Sequence, residues 1–190
     1  MKQTRKEYVI SIMARDRVGI IADVSGAISY MGGDLADMRQ QVLRGYFTMI
    51  LHASFPADTD EATILDKLSR LPDPELGRLA VQVREIRTDL VDETAPSLEN
   101  SYVLTAEGED RIGFVATVSK FCADNEINIL DLSTTVAEDR YIMILFVDLS
   151  RCASMDELRR RLDHFARETD LNMVLQHYDI FKATNEIKIF

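Results

Sequence analysis

The sequence predicts an α+β chain built as two small βαββαβ domains, each with an antiparallel sheet covered on one face by helices. The first observation behind this expectation is a repeat. Asp16-Arg17-Val18-Gly19-Ile20-Ile21-Ala22-Asp23-Val24-Ser25 aligns with Asp110-Arg111-Ile112-Gly113-Phe114-Val115-Ala116-Thr117-Val118-Ser119 at an offset of 94 residues. The match runs on without a gap through Asp37 and Asp131, Val42 and Val136, then Met49-Ile50-Leu51 and Met143-Ile144-Leu145. Eleven of the 40 positions in 16–55 and 110–149 are identical, clustered at one turn and one strand, so the chain is a duplication. The second observation is the order of apolar patterns within each copy, which reads strand, helix, strand, strand, helix, strand. The third is size: 190 residues at 46% apolar composition suit two small domains with real cores.

The elements follow in order. Tyr8 to Met13 is a short apolar strand, and Tyr102 to Thr105 begins its counterpart. Ile20, Val24, Ala27, Ile28 and Met31 recur at helical spacing, echoed by Val115, Val118, Phe121 and Cys122. Gly32-Gly33 stops the first helix, because glycine accepts the left-handed conformation at a helix end. The second copy has Glu126-Ile127 there, so its helix is expected to end by another device, through Asn125. Leu35 to Leu43 turns at Arg44-Gly45 into Phe47 to Phe55, and Ile129 to Ala137 turns at Glu138-Asp139 into Tyr141 to Leu149. Thr59 or Asp60 caps a second helix carrying Ala62, Leu65, Leu68 and Leu71; its partner starts at Ser154 and carries Met155, Leu158, Leu162, Phe165 and Ala166. Last strands are expected over Leu79 to Ile86 and Met173 to Phe181. The polar, acidic stretch Thr88 to Asn100, with Pro96, reads as the connection, giving domains at 1–90 and 101–190 around a linker at 91–100. The tail from Ala183 ends on Ile187, Ile189 and Phe190, apolar residues that either dock or fray.

Composition narrows the function. The net charge is −10, about −3 in residues 1–95 and −7 in 96–190. Non-specific attraction to phosphate backbones needs clustered Lys and Arg, so direct nucleic-acid binding is not expected. No apolar run approaches the roughly 18 residues that cross a bilayer, and the basic N-terminus has no apolar stretch behind it. Cys122 and Cys152 form neither a disulfide framework nor a metal-type spacing, which fits a reduced, cytoplasmic setting. His52, His164 and His177 fall on separate elements without ligand spacing. There is no phosphate loop, nucleophile elbow or zinc-protease motif. Neither metal, cofactor nor catalysis is expected.

The Asp-Arg-x-Gly turn between first strand and first helix, followed by Asp34-Leu35-Ala36-Asp37 or Asn128-Ile129-Leu130-Asp131 entering the second strand, resembles the ACT domain. The resemblance covers nearly the whole chain, and implies two ferredoxin-like units that sense amino acids. Two such units in a chain of this length are similar to the glycine cleavage system transcriptional repressor group. Val18 and Ile112 stand where many family members carry proline, which would pre-set the helix entry.

Elementary chemistry agrees with that implication. A turn that feeds a helix offers backbone N–H groups and the positive end of the helix dipole, a seat for a carboxylate. Gly19 and Gly113 let the backbone approach a ligand, or serve the packing of helix on sheet. Asp16 and Asp110 either cap their helices or touch ligand. Arg17 and Arg111 either pair with a carboxylate or lie solvated. Ile20 and Phe114 begin the helices, and Asp34 and Asn128, expected near the turns, would accept a hydrogen bond from an α-amino group. Asp37 and Asp131 are expected to be turn or interface residues. The sequence thus points to a regulatory protein that binds an amino acid of the glycine or serine class where its turns meet a neighbouring unit. It would act on a protein partner, a regulator or an enzyme, as a homodimer. The rival readings are a ligand-free interaction module and a detached regulatory subunit of a biosynthetic enzyme.

Overall fold

The computed structural model describes residues 5–75, 77–87, 101–137 and 140–185. The chain divides into two compact units, Met1–Asp92 and Glu93–Phe190. The expected linker at 91–100, the hairpin tip Glu138-Asp139 and the apolar end Ile187, Ile189 and Phe190 lie outside the described residues.

The first unit runs β1 (Arg5–Arg15), α1 (Ile20–Tyr30), β2 (Asp34–Leu43), β3 (Tyr46–Pro56), α2 (Glu61–Ser69) and β4 (Ala80–Glu85). Its sheet has the order β2-β3-β1-β4, antiparallel throughout. The second repeats this with β5 (Tyr102–Glu109), α3 (Phe114–Asp124), β6 (Asn128–Ala137), β7 (Arg140–Asp148), α4 (Met155–Thr169) and β8 (Asn172–His177), in the order β6-β7-β5-β8. This is the expected ferredoxin-like pattern, present twice.

Strand alternation separates the two faces of each sheet. Tyr8, Ile10, Ile12 and Ala14 of β1 and Phe47, Met49, Leu51, Ala53 and Phe55 of β3 lie in one core with Ile20, Val24 and Ile28 of α1 and Ile64 and Leu68 of α2. In the second unit Leu104, Ala106, Met143, Leu145 and Val147 meet Phe114, Val118, Phe121 and Cys122 of α3 and Leu158 and Leu162 of α4. Burying one such side chain contributes about 1.5–3 kcal/mol, so these faces fix the register of each sheet. Val115, expected on the buried face of α3, is exposed; Phe114 takes that place.

Turn chemistry explains the element ends. Arg44 and Gly45 both have positive φ, 50° and 82°, the two-residue turn that suits a twisted hairpin. Asp60 caps α2 by accepting from the Thr63 N–H at 2.8 Å. At the end of α1, Gly32 is left-handed (φ 71°), its N–H donates to the Ser29 carbonyl, and the Gly33 N–H donates to the Ile28 carbonyl. This is the Schellman motif. The end of α3 does not use another device, as the sequence suggested. It makes the same bonds, Glu126 N–H to Ala123 and Ile127 N–H to Cys122, with Glu126 forced to φ 56°. Asn125 adds a bond from Nδ2 to the Phe121 carbonyl at 2.8 Å. A left-handed non-glycine residue costs about 1–2 kcal/mol. Glu126→Gly is therefore expected to stabilise the second unit by about 1 kcal/mol, read as a higher urea midpoint at unchanged slope.

The last strand of the second unit is shorter than its alternation suggested. It stops at His177, and Tyr178–Asn185 forms a fifth helix, α5. Phe146, between inward-facing Leu145 and Val147, points to the other face of the sheet, where its ring meets Tyr178 (centroids 6.0 Å apart) and Phe181 (6.5 Å). Val103 on β5, paired with the half-buried Phe146, is fully buried. Thus α5 lies on the sheet face opposite α3 and α4.

Candidate functional site at the two Asp-Arg-x-Gly turns

Each turn links the end of a central strand to the first turn of a helix. Gly19 and Gly113 are the N-cap residues, at φ 89° and 90°, a region that side-chain-bearing residues rarely adopt. A Cβ at Gly19 would come only within 3.9 Å of Arg17, and one at Gly113 would meet nothing within 4 Å. These glycines are therefore needed for backbone conformation and leave open space above them; tight helix–sheet packing is not their role. Asp16 and Asp110 do not cap the helices, which begin at residues 20 and 114. Both are exposed, and the Asp16 N–H is bonded to the Gly45 carbonyl. Val18 and Ile112 point wholly into solvent. Ile20 and Phe114 send their side chains into the core.

The two arginines differ. Arg17 is not solvated: its Nη2 lies 2.5 Å from Asp23 Oδ2 on α1 and also donates to the Pro72 carbonyl at 3.2 Å. Pro72 and Asp73, between α2 and β4, fasten over this point. The Arg15 N–H donates to Asp73 Oδ2 at 2.7 Å, the Glu75 N–H donates to Asp73 Oδ1 at 2.8 Å, and Asp73 is buried. In the second unit only Asp170 and Leu171 separate α4 from β8. Arg111 is exposed, and its Nη2 donates to the Thr169 carbonyl at 2.9 Å. Position 117, which aligns with Asp23, is threonine. A groove of about 450 Å³ opens here, lined by Arg111, Gly113, Phe114, Val115, Ala116 and Tyr141. The Phe114 and Tyr141 rings lie 4.9 Å apart in its wall. Sequence reasoning missed Tyr141 and the Asp23–Arg17 pair; the mismatch of Asp23 with Thr117 in the aligned repeat was the available signal.

The sheet register corrects one expectation. Asp34 pairs with Ser54 and the end of β1 pairs with Tyr46, eight residues apart along β3. At roughly 3.3 Å per residue, Asp34 is roughly 25 Å from the turn of its own unit. Asn128, opposite Asp148 while Glu109 faces Arg140, is equally remote. A first helix that runs back along its strand returns the chain to the far end of the sheet, so these residues and the turns are not brought together within a unit. Asp37 and Asp131 follow a β-bulge at the same place in each unit, where each carboxylate accepts the next residue's N–H at 2.8 Å.

Other reactive groups are engaged elsewhere. His52 lies 3.3 Å from Glu7, His164 3.2 Å from Glu168 and His177 3.5 Å from Asp179, in three separate places. Burial pushes the Cys122 thiol up to about 11 and also raises that of Cys152, whose Sγ donates to the Asn125 carbonyl. Both shifts oppose thiolate chemistry. Among the described residues no group of three His, Cys, Asp or Glu side chains could hold a metal ion, and no helix is long and apolar enough to cross a membrane.

Comparison with known proteins matches the two halves separately. Models described as ACT domain match residues 7–83 and 102–161. A UPF0237 protein of Methanocaldococcus jannaschii is 39% identical over 87 residues, 45% of this chain and 96% of the relative. One from Neisseria meningitidis is 41% identical over 92 residues, 46% of this chain and 99% of the relative. Two solved structures share the fold across both units. A protein of unknown role from Galdieria sulphuraria has a TM-score of 0.68 at 25% identity, covering 91% of this chain and 98% of that one. A candidate glycine cleavage system transcriptional repressor has a TM-score of 0.65 at 17% identity, covering 90% and 96%.

Proposed function

The chain belongs to the ACT-domain family, with one copy in each half, and from that premise we propose that it is a non-enzymatic regulatory protein that senses an amino acid at its Asp-Arg-x-Gly turns. The observation that carries this reading is the open groove at the second turn, where a guanidinium bonded to a neutral carbonyl borders a left-handed glycine and apolar walls. Such a groove suits a carboxylate held by Arg111 with the rest of the molecule on Val115, Ala116 and Tyr141. Asp34 and Asn128 could serve an α-amino group only at a turn supplied by a different unit, so the reading includes assembly, with a second copy of the chain as partner. Ligand would favour one assembly over another and so change affinity for a protein partner, because an effector acts only through differential binding. A transcriptional role for that partner rests on the likeness to the repressor group.

A second reading, interaction without ligand, is favoured by the edge strands. Met38, Val42 and Leu43 on β2 and Leu132 and Val136 on β6 are exposed, beside backbone groups free to pair with another strand.

Thermal unfolding against a panel of amino acids, led by glycine and serine, separates the two. A ligand at 100 times its dissociation constant adds about 2.7 kcal/mol to the native state. At roughly 2–4 °C per kcal/mol the midpoint should rise by about 5–10 °C. A rise with some amino acids and not others supports sensing. No rise with any of them, in protein that unfolds cooperatively, refutes it in favour of the interaction module.

A further inference from the structure

We infer that the two turns have diverged: the first is occupied by the protein's own carboxylate, and only the second takes a ligand, an amino-acid-type carboxylate bearing an apolar side chain, one per chain. This rests on the sensing role proposed above and assigns it to one unit and one class of ligand.

In the first unit the place of a ligand carboxylate on Arg17 is filled. Asp23 Oδ2 sits 2.5 Å from Nη2, the Val18 and Pro72 carbonyls take further guanidinium hydrogens at 3.3 and 3.2 Å, and the side chain is 22% exposed. An incoming carboxylate would have to displace an internal ion pair that costs no association entropy. It would also have to pass Pro72 and the buried Asp73, which is tied to the Arg15 N–H.

In the second unit neither the internal carboxylate nor the long cover is present among the described residues. Thr117 stands where Asp23 would, and the covering segment is reduced to two residues. The bond from Arg111 to the Thr169 carbonyl orients the guanidinium without cancelling its charge. A guanidinium has five donors in a planar fork, so others are left for two-point contact with a carboxylate. What lies beside that cation decides the ligand's other end. Phe114, Val115, Ala116 and Tyr141 form the rest of a groove of about 450 Å³, within the range of about 300–1,000 Å³ usual for small-molecule sites. Phe114 is itself buried, so the surface open to a ligand is that of the exposed Val115 and Ala116 and the half-buried Tyr141. Glycine or serine would leave these three in water, whereas leucine, methionine or phenylalanine would cover them and gain from doing so.

The test is calorimetric titration of the full chain with L-leucine, L-methionine, L-phenylalanine and glycine. The expected result is one site per chain for at least one of the three larger amino acids, with affinity at least tenfold above that for glycine. Arg111→Met and, separately, Thr117→Asp, which supplies an internal carboxylate like Asp23, should each weaken binding at least tenfold. Both positions are on the surface or partly exposed, and circular dichroism with unfolding curves checks that each variant folds; either one suffices to read the site. Two sites per chain, binding that survives both changes, or glycine binding as tightly as the larger amino acids overturns the inference and leaves the sensing role standing. No binding of any probe, glycine included, overturns both.

Discussion

Truncating Phe181 to alanine is expected to cost the second unit about 3–5 kcal/mol, the range for a buried phenylalanine. Phe181 is 5% exposed and anchors α5 edge-on against Phe146. Its removal takes away the ring that seats the helix, and the loss extends beyond one side chain. Val103 and Phe146 occupy the sheet face that α5 covers, so a loosened helix exposes Val103 and more of the half-buried Phe146 to water. Urea unfolding of the full chain would show a transition for the second unit shifted to lower denaturant. A change below 0.5 kcal/mol, the range of ordinary surface substitutions, would mean that α5 does not hold this face.

Gly33→Val is expected to be comparably damaging in the first unit, at about 3 kcal/mol, the upper end of the cost of overpacking. A Cβ at this position would lie 2.6 Å from Ile28 Cγ2, 2.7 Å from Phe55 Cε1 and 2.8 Å from the Ile28 carbonyl oxygen. Phe55 and Ile28 are fully buried, so neither has room to retreat. The carbonyl is itself engaged by the Gly33 N–H in the helix-ending motif. The contrast with Gly113 is informative: there a Cβ would meet no atom within 4 Å, and for Gly113→Ala the penalty would be conformational, about 1–2 kcal/mol. Thermal denaturation of both variants reads the difference. Equal loss at the two positions would contradict the packing argument.

Much of the fold was legible because local pattern and tertiary environment agree. The gapless repeat set the two units, period-2 and period-3.6 patterns set the elements, and Arg44-Gly45 and Gly32-Gly33 marked turns that glycine makes cheap. The failures come where two local readings were equally good. Met173 to Phe181 alternates well enough for a strand, yet from Tyr178 the chain is helical, because Tyr178 and Phe181, one helical turn apart, can both reach Phe146. Glu126 gave no sign of a left-handed helix end, since a non-glycine residue takes that conformation only when the bonds to Ala123 and Cys122 repay it. Asp16 and Asp110 resemble helix caps by residue type, but the left-handed glycines three residues later take the N-cap position.

For the candidate site the division is similar. The sequence by itself determined that two Asp-Arg-x-Gly turns exist, that each feeds a helix, and that aspartate at 23 is answered by threonine at 117. Only the tertiary structure decided which arginine is already paired, because Asp23 and Pro72 reach Arg17 across the fold of a helix and a loop whose positions no local pattern specifies. It also decided that Asp34 and Asn128 lie at the far end of their sheets from the turns. Spacing along a chain sets which residues share a face of one element; distance between elements is set by strand register, and register is fixed by the cores that the folded sheets bury.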